Sequence, residues 1–267
     1  MSTVALITVV HGRHQHLENQ GRTVARGTRH PDLRIVVAMD DPGLERPDAD
    51  VLHLGADAPR LPLAAARNLG ADHAIALGAD VLVFLDVDCL AGAGLIEGYA
   101  HAVEESPGVV WSGPVSYLPP APPGGYDLTD LRQYDEPHPG RPAPRPEERL
   151  INPRPELFWS LSFALHHQTW SRIGGFCEEY QGYGGEDTDF GLLTHHRGLR
   201  HGWTGDARAY HQHHEVETPP VQHLDAILRN GAVFNSRWGH WPMTAWLTQF
   251  EELGLVCHDD GHWRRAS

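Results

Sequence analysis

Five consecutive apolar residues, Val81-Leu82-Val83-Phe84-Leu85, lead directly into Asp86-Val87-Asp88. The run does not alternate with polar residues, so as a strand it must be buried on both faces. A strand covered on both sides needs helices on both sides, which is the arrangement of an α/β domain. The first 112 residues fit that demand. Strand signals at Val4 to Val10, Ile35 to Met39, Val51 to Leu54 and Val109 to Ser112 alternate with helical stretches at His14 to Arg26, Leu63 to Leu77 and Leu95 to Glu105. The second strand stops at Asp40-Asp41-Pro42-Gly43, which is turn chemistry. The expected fold class is α/β, with a single mainly parallel sheet flanked by helices. Ligands of such sheets sit beyond the carboxyl ends of the strands, so Asp86 and Asp88 stand at an expected binding edge.

The pattern breaks after residue 113. Between Pro114 and Pro155 lie twelve of the 21 prolines of the chain, in a stretch without periodicity. We expect a loop over residues 114–157 without regular structure, able to serve as a lid; its Tyr117, Tyr126 and Tyr134 favour that role over a passive insertion. Order is expected again at Phe158 to Leu165 and His166 to Ile173, then in a helix over Glu186 to His196. Helices follow at Val221 to Asn235 and Thr244 to Leu253, and Asp260-Gly261 lies in a short closing hairpin. This divides one domain into residues 1–113, the Pro-rich loop, residues 158–240, and a C-terminal piece, 241–267.

Composition excludes several classes of function. The 21 basic residues are all Arg, and against 35 acids they leave a net charge of −14. That balance opposes non-specific binding to nucleic acid or to anionic lipid. The absence of Lys excludes Schiff-base chemistry and a P-loop lysine. No apolar run reaches the roughly 18 residues of a membrane span. The residues from Met1 to Val10 do not read as a signal peptide. Cys89, Cys177 and Cys257 are odd in number and widely spaced, which suits a reducing compartment. The expectation is a cytoplasmic protein without integral membrane contact.

Four constellations carry chemistry. Asp86 and Asp88, at i and i+2 beyond a buried strand, suit a divalent cation that bridges to phosphate oxygens. Gly182-Tyr183-Gly184-Gly185 precedes Glu186-Asp187-Thr188-Asp189. A helix start needs one capping acid; three within four positions exceed that need, and a carboxylate held there can act as a general base. In Tyr210-His211-Gln212-His213-His214-Glu215, His211 and His214 share a face if the segment is helical, and His211 and His213 if it is extended. Imidazoles are common transition-metal ligands. Arg67 and Asn68, with Asp40 at the second strand end, could orient a base or a diphosphate.

Together these segments resemble family-2-type glycosyltransferases with the GT-A nucleotide-diphospho-sugar fold. The C-terminal half is similar to the β-1,4-galactosyltransferase and polypeptide N-acetylgalactosaminyltransferase branch. The segments that carry the likeness are Val9 to Leu17, Ala66 to Ala71, Asp86-Val87-Asp88, and Leu161 to Phe190 with its Gly184-Gly185-Glu186-Asp187. The resemblance implies that Arg13 touches the nucleotide, that Asp88 binds the metal, and that His211 and His214 stand at metal-ligand positions. It further implies that Asp187 is the catalytic base, that Glu186 holds the acceptor, and that Tyr183 packs on sugar. Trp159 is a second candidate for sugar stacking.

The function implied is transfer of a sugar from a nucleotide-diphospho-sugar to an acceptor hydroxyl with inversion. The donor set of one carboxylate and imidazoles favours Mn²⁺ over Mg²⁺ as the divalent cation, and a UDP-sugar is favoured over a GDP-sugar. The acceptor is an unidentified hydroxyl compound, a glycan or a lipid-linked molecule met at the membrane surface. A nucleotidyltransferase of the same fold would need a Gly-rich loop after the first strand and a lysine, and the sequence has neither. A non-catalytic nucleotide-sugar binder would not need the acids at 186 and 187. A zinc hydrolase would need an HExxH pattern, which is missing.

Overall fold

The computed structural model describes residues 1–55, 60–215 and 217–266. Strand β1 (Val4–Val10) is buried along its whole length, and helix α1 (His14–Val24) follows it. Then come β2 (Leu33–Met39), β3 (Asp50–Leu54), α2 (Leu63–Ala76), β4 (Val81–Leu85), β5 (Cys89–Ala91), α3 (Leu95–Glu105), β6 (Val109–Ser112) and β7 (Val115–Tyr117). The second half contains β8 (Arg149–Asn152), β9 (Ser162–His166), α4 (His167–Ile173), α5 (Glu186–His196), β10 (Arg200–Thr204) and β11 (Ala209–His211). The chain closes with α6 (Leu224–Trp238), α7 (Thr244–Glu252), β12 (Val256–Asp259) and β13 (His262–Arg265).

Eight strands form the main sheet in the order β3-β2-β1-β4-β9-β6-β10-β8. The first four are parallel, as the buried apolar runs require. Beyond β4 the sheet is mixed: β9 enters antiparallel to both β4 and β6. β10 pairs parallel with β6 and antiparallel with β8. The expected sheet is therefore present, and its far half alternates direction because β9 is inserted from a point later in the chain. The two faces of this sheet carry separate apolar clusters. One joins Ile7, Val37 and Phe84 to Ala66 and Ala71 of α2; the other joins Leu6 and Val83 to Leu95, Tyr99 and Val103 of α3. Gly70 explains how closely α2 lies on the sheet: a Cβ there would stand 2.6 Å from the Ile7 side chain.

A second, three-stranded sheet in the order β5-β11-β7 sits directly after Asp88, and it was not expected. Its strands have three residues each, too short for periodicity to reveal. The Pro-rich segment also departs from expectation. It supplies β7 and β8, and short 3₁₀ turns at Leu131–Tyr134 and Pro155–Leu157. Leu118 and Leu131 pack with Leu90 and Tyr210, and Tyr126, Leu128 and Tyr134 lie against them. The segment is thus a packed wall over the small sheet. The C-terminal helices and hairpin form their own apolar cluster of Leu224, Ile227, Leu247, Phe250 and Val256. Among the described residues no helix is long and apolar enough to cross a membrane.

Candidate active site

The carboxyl ends of β1, β2 and β4 lie side by side, so the loops that leave them share one rim. Two non-glycine residues on that rim hold left-handed backbone: Arg13 at φ 49° and Asp40 at φ 46°. Such conformations are uncommon outside glycine and cluster at functional sites. Asp40 is exposed at the end of β2. Arg13, at the N-cap of α1, turns its guanidinium onto the Asp88 carboxylate.

Asp88 is brought to the histidine tract by main-chain pairing. β5 begins at the next residue and runs antiparallel to β11, with Cys89 opposite His211. Gln212 N–H donates to the Asp88 carbonyl at 2.7 Å. The pairing sets His211 Nε2 3.5 Å and His214 Nε2 3.6 Å from Asp88 Oδ2. One ligand atom from each of Asp88, His211 and His214 lies within 4.8 Å of the other two. Neither of the two geometries considered from sequence applies. β11 ends at His211, and the chain then leaves the strand, so His214 returns to the site while His213 stays exposed. Tyr126 of the Pro-rich wall accepts the His213 N–H at 3.1 Å, and the Tyr117 ring stacks on His211 at 4.7 Å.

Burial works against charge on Asp88, but the imidazoles of His211 and His214 and then Arg13 outweigh it and hold the carboxyl well below its ordinary range. Asp88 raises the His214 pKa in turn, against the effect of burial.

Arg67 joins this wall of the cleft to the opposite one. It is buried, with Nη2 donating to Asp86 Oδ1 at 3.1 Å and Nη1 to Glu186 Oε1 at 3.3 Å. Its guanidinium lies over the Phe176 ring at 5.3 Å. A residue of α2 thereby ties the end of β4 to the start of α5. Gln20 supports the same strand end: its Nε2 donates to the Asp86 carbonyl at 2.9 Å, and its Oε1 accepts from Thr8 at 3.0 Å.

The opposite wall is the first turn of α5. Gly182, Gly184 and Gly185 precede it, all with positive φ. At Gly184 the positive φ of 89° favours glycine, and the end of the Met243 side chain lies close to it. The buried Asn230 amide binds the carbonyls of Gln181, Tyr183 and Gly184, fixing the turn against α6.

The three acids that follow have different environments. Asp189 is fully buried and saturated: Tyr180 Oη at 3.1 Å, Arg237 Nε at 2.7 Å and Trp238 Nε1 at 2.7 Å all donate to it. It is an anchor between α5 and α6. Glu186 is buried with Oε2 lacking a partner. Burial and then the neighbouring Asp187 charge push its pKa up to about 7, despite Arg67. Asp187 is partly accessible, and its carboxylate accepts the Thr188 N–H at 2.7 Å. Burial raises its pKa too, opposed by that hydrogen bond and by Arg67. A carboxylate with a raised pKa at a cleft edge is suited to take a proton.

Tyr183 and Trp159 lie on different parts of the rim. The Tyr183 ring is stacked on His223 at 4.4 Å and leans toward Trp246 at 5.9 Å. Trp159 meets His138 edge-on at 5.2 Å and carries the Arg141 guanidinium over its ring at 5.0 Å. Asn68 departs from its expected role. Its Oδ1 accepts from Phe176 N–H at 2.8 Å, and its Nδ2 donates to the Phe176 carbonyl at 2.9 Å and to Glu178 at 2.8 Å. With both ends of its amide committed, Asn68 braces the turn after α4 and is not placed to hold a donor.

Sequence reasoning missed Arg141. It comes from the Pro-rich segment, is buried, and sits between Trp159 and Trp203, with the latter ring at 4.6 Å. Its Nε and Nη1 have no partner. Burial lowers its pKa to about 10, so it stays charged, and Asp187 is among the groups whose charge it feels. No periodic pattern singles out Arg141 from the other arginines of this Pro-rich segment.

The chain is similar to several known proteins. A family model described as the N-terminal domain of galactosyltransferase matches residues 152–223, the stretch from β8 through the histidine tract. Validoxylamine A glucosyltransferase of Streptomyces hygroscopicus subsp. limoneus is 30% identical over 268 residues, covering 85% of this chain and 57% of its own length. Its counterpart in Streptomyces hygroscopicus subsp. jinggangensis (strain 5008) is 29% identical, with 85% and 61% covered. The chain thus spans about three fifths of the curated relatives it matches. The crystal structure of GalNAc-T7 with UDP, GalNAc and Mn²⁺ superposes with a TM-score of 0.58 at 13% identity, covering 80% of this chain and 44% of that one. The fold is the GT-A fold shared with GalNAc-T7, and residues 152–223 are similar to the galactosyltransferase domain.

Proposed function

We propose that this relative of the GT-A glycosyltransferases is a metal-dependent enzyme that moves a sugar from a UDP-sugar to an acceptor hydroxyl with inversion. One observation carries the reading: Arg67 bridges Asp86 to Glu186, so the strand end that leads to Asp88 and the helix start that bears Asp187 lie within reach of one side chain. The names of the relatives point the same way, since two are glucosyltransferases and the structural neighbour was solved with UDP and Mn²⁺.

A divalent cation fits the Asp88, His211 and His214 donor set: one ionised carboxylate and two imidazoles converge there. That mixture of oxygen and nitrogen donors leans toward Mn²⁺ over Mg²⁺. When bound, the cation offsets the charge that builds on the departing diphosphate. Arg13 is within reach of the same anion, and with no lysine in the chain it is the cation this rim offers. Asp40, exposed at the end of β2, is positioned for the nucleoside.

On the other wall, Asp187 accepts the proton of the acceptor hydroxyl as that oxygen attacks the anomeric carbon. Its raised pKa makes it a stronger base than a free carboxylate, and the buried Arg141 charge favours its ionised form. Glu186, with one oxygen unpaired, accepts a hydrogen bond from the acceptor. Tyr183 and Trp159 offer aromatic faces to sugar rings. Because attack and departure occur on opposite faces of the sugar, the anomeric configuration inverts.

The test is a thermal-shift screen of nucleotide-diphospho-sugars with and without Mn²⁺, followed by product analysis. Binding raises apparent stability by mass action. A UDP-sugar that stabilises only with Mn²⁺, and a product of inverted configuration, support the reading. Stabilisation by no nucleotide-sugar, or retained configuration, would refute it.

A further inference from the structure

A second group of one carboxylate and two imidazoles stands at the other end of β4. Asp80 precedes the strand, and in the antiparallel pairing of β4 with β9 Val81 lies opposite His166. His167, the next residue, opens α4 and donates its N–H to the Asp80 carbonyl at 2.9 Å. One ligand atom from each of Asp80, His166 and His167 lies within 4.8 Å of the other two. All three side chains are half-buried, reachable by an ion yet backed by protein.

We infer that Asp80, His166 and His167 form a structural transition-metal site, suited to Zn²⁺, at the amino-terminal edge of the sheet and separate from the cleft. The donors match that ion: imidazole nitrogens and one carboxylate oxygen, with water completing the shell. The frame is partly preorganised. The Asp80 carboxylate is held by Thr3 N–H at 2.8 Å, and the two imidazole rings are 4.5 Å apart. His166 Nδ1 accepts the Gln168 N–H at 3.1 Å, so coordination replaces that single hydrogen bond at the start of α4. An ion here joins the start of β4 to the junction of β9 and α4, and Asp80 in turn holds the segment before β1, three pieces distant in sequence. The group lies at the opposite end of β4 from Asp88. Its role is therefore to clip the fold.

The test uses the full chain stripped by chelator and titrated with Zn²⁺ alone, by calorimetry and thermal shift. The Asp88→Ala and His211→Ala variant removes the cleft site, and His166→Gln with His167→Gln removes the proposed one; Asp80→Asn gives an independent variant that keeps an oxygen acceptor for Thr3. In the cleft-less variant, about one equivalent of Zn²⁺ should bind and raise the Tm. Adding either change at the far edge should weaken that binding by at least ~10-fold and remove the rise in Tm. Zn²⁺ binding that is already absent in the cleft-less variant overturns the proposal, as does binding that persists undiminished in both far-edge variants. Neither outcome depends on the proposed glycosyl transfer.

Discussion

β4 ends in the same three kinds of side chain twice: Asp88 with His211 and His214 beyond its carboxyl end, and Asp80 with His166 and His167 before its amino end. The difference lies in what faces them. Arg67 links Asp86, two residues before Asp88, to Glu186, the neighbour of Asp187, and Arg13 lies beside Asp88. Asp80 faces backbone of the chain start. A ligand set alone is thus a place for an ion. It becomes a candidate active site when the parallel strands deliver further loops to the same edge, and only the carboxyl edge of this sheet does so.

The change that should break the comparison most completely is Asp187→Asn, which leaves the ligand set intact and removes the base from the facing wall. Turnover should fall by roughly the 10²–10⁴ attributed to general base catalysis. Matching changes at Asp80, His166 or His167 should leave turnover of the folded protein unaltered. Steady-state kinetics on a transferred UDP-sugar would check both; an active Asp187→Asn enzyme would remove the distinction.

The starved character of the facing wall can be read from stability alone. Glu186 has a pKa near 7 in the fold against an ordinary value of 4.5, with burial as the main cause. The unfolded chain gives up this proton first. The folded state is therefore favoured below about pH 4.5 and loses that advantage as pH rises through 7. Glu186→Gln should be more stable than the parent at pH 8, by up to about 2–3 kcal/mol. The gain should vanish toward pH 4.5. Urea melts across that range give the answer, and a gain that grows toward acid would reverse the sign of the argument.

Much of this was legible before the structure. Val4 to Val10 and Val81 to Leu85 read as buried strands because nothing in them alternates, and both are buried throughout. The helix Glu186 to His196 was marked at both ends by glycine and acids, and it has those bounds. Order was expected from Phe158 to Leu165; β9 runs from Ser162 to His166, because pairing with β4 and β6 sets its limits. Strands β5, β7 and β11 were hidden: three residues carry no period, and their partners are far apart in sequence. The same long-range pairing decided the histidine tract, where local geometry alone could not choose. The sequence did not reveal the structural role of Asp189, because its partners Arg237 and Trp238 belong to a helix 48 or more residues away. Asn68 shows the converse: a residue well placed in the sequence pattern can be fully occupied by its own fold.

A smaller effect sharpens the reading of the tract. His214→Ala should weaken Mn²⁺ binding by about 10-fold or more, the scale at which even outer partners of a metal matter. His213→Ala, at an exposed ring, should change it little. Titration of Mn²⁺ by calorimetry separates the two, and equal losses would mean that the turn after β11 is misplaced.

The central claim is that one wall of the cleft holds the donor through a metal and the other performs the proton transfer. Calorimetric titration of UDP in the presence of Mn²⁺ into the parent chain, Asp88→Ala and Asp187→Asn tests this division directly. The account predicts binding in the parent, the same binding in Asp187→Asn, and none in Asp88→Ala. Undiminished binding by Asp88→Ala, or its loss in a folded Asp187→Asn, would contradict it.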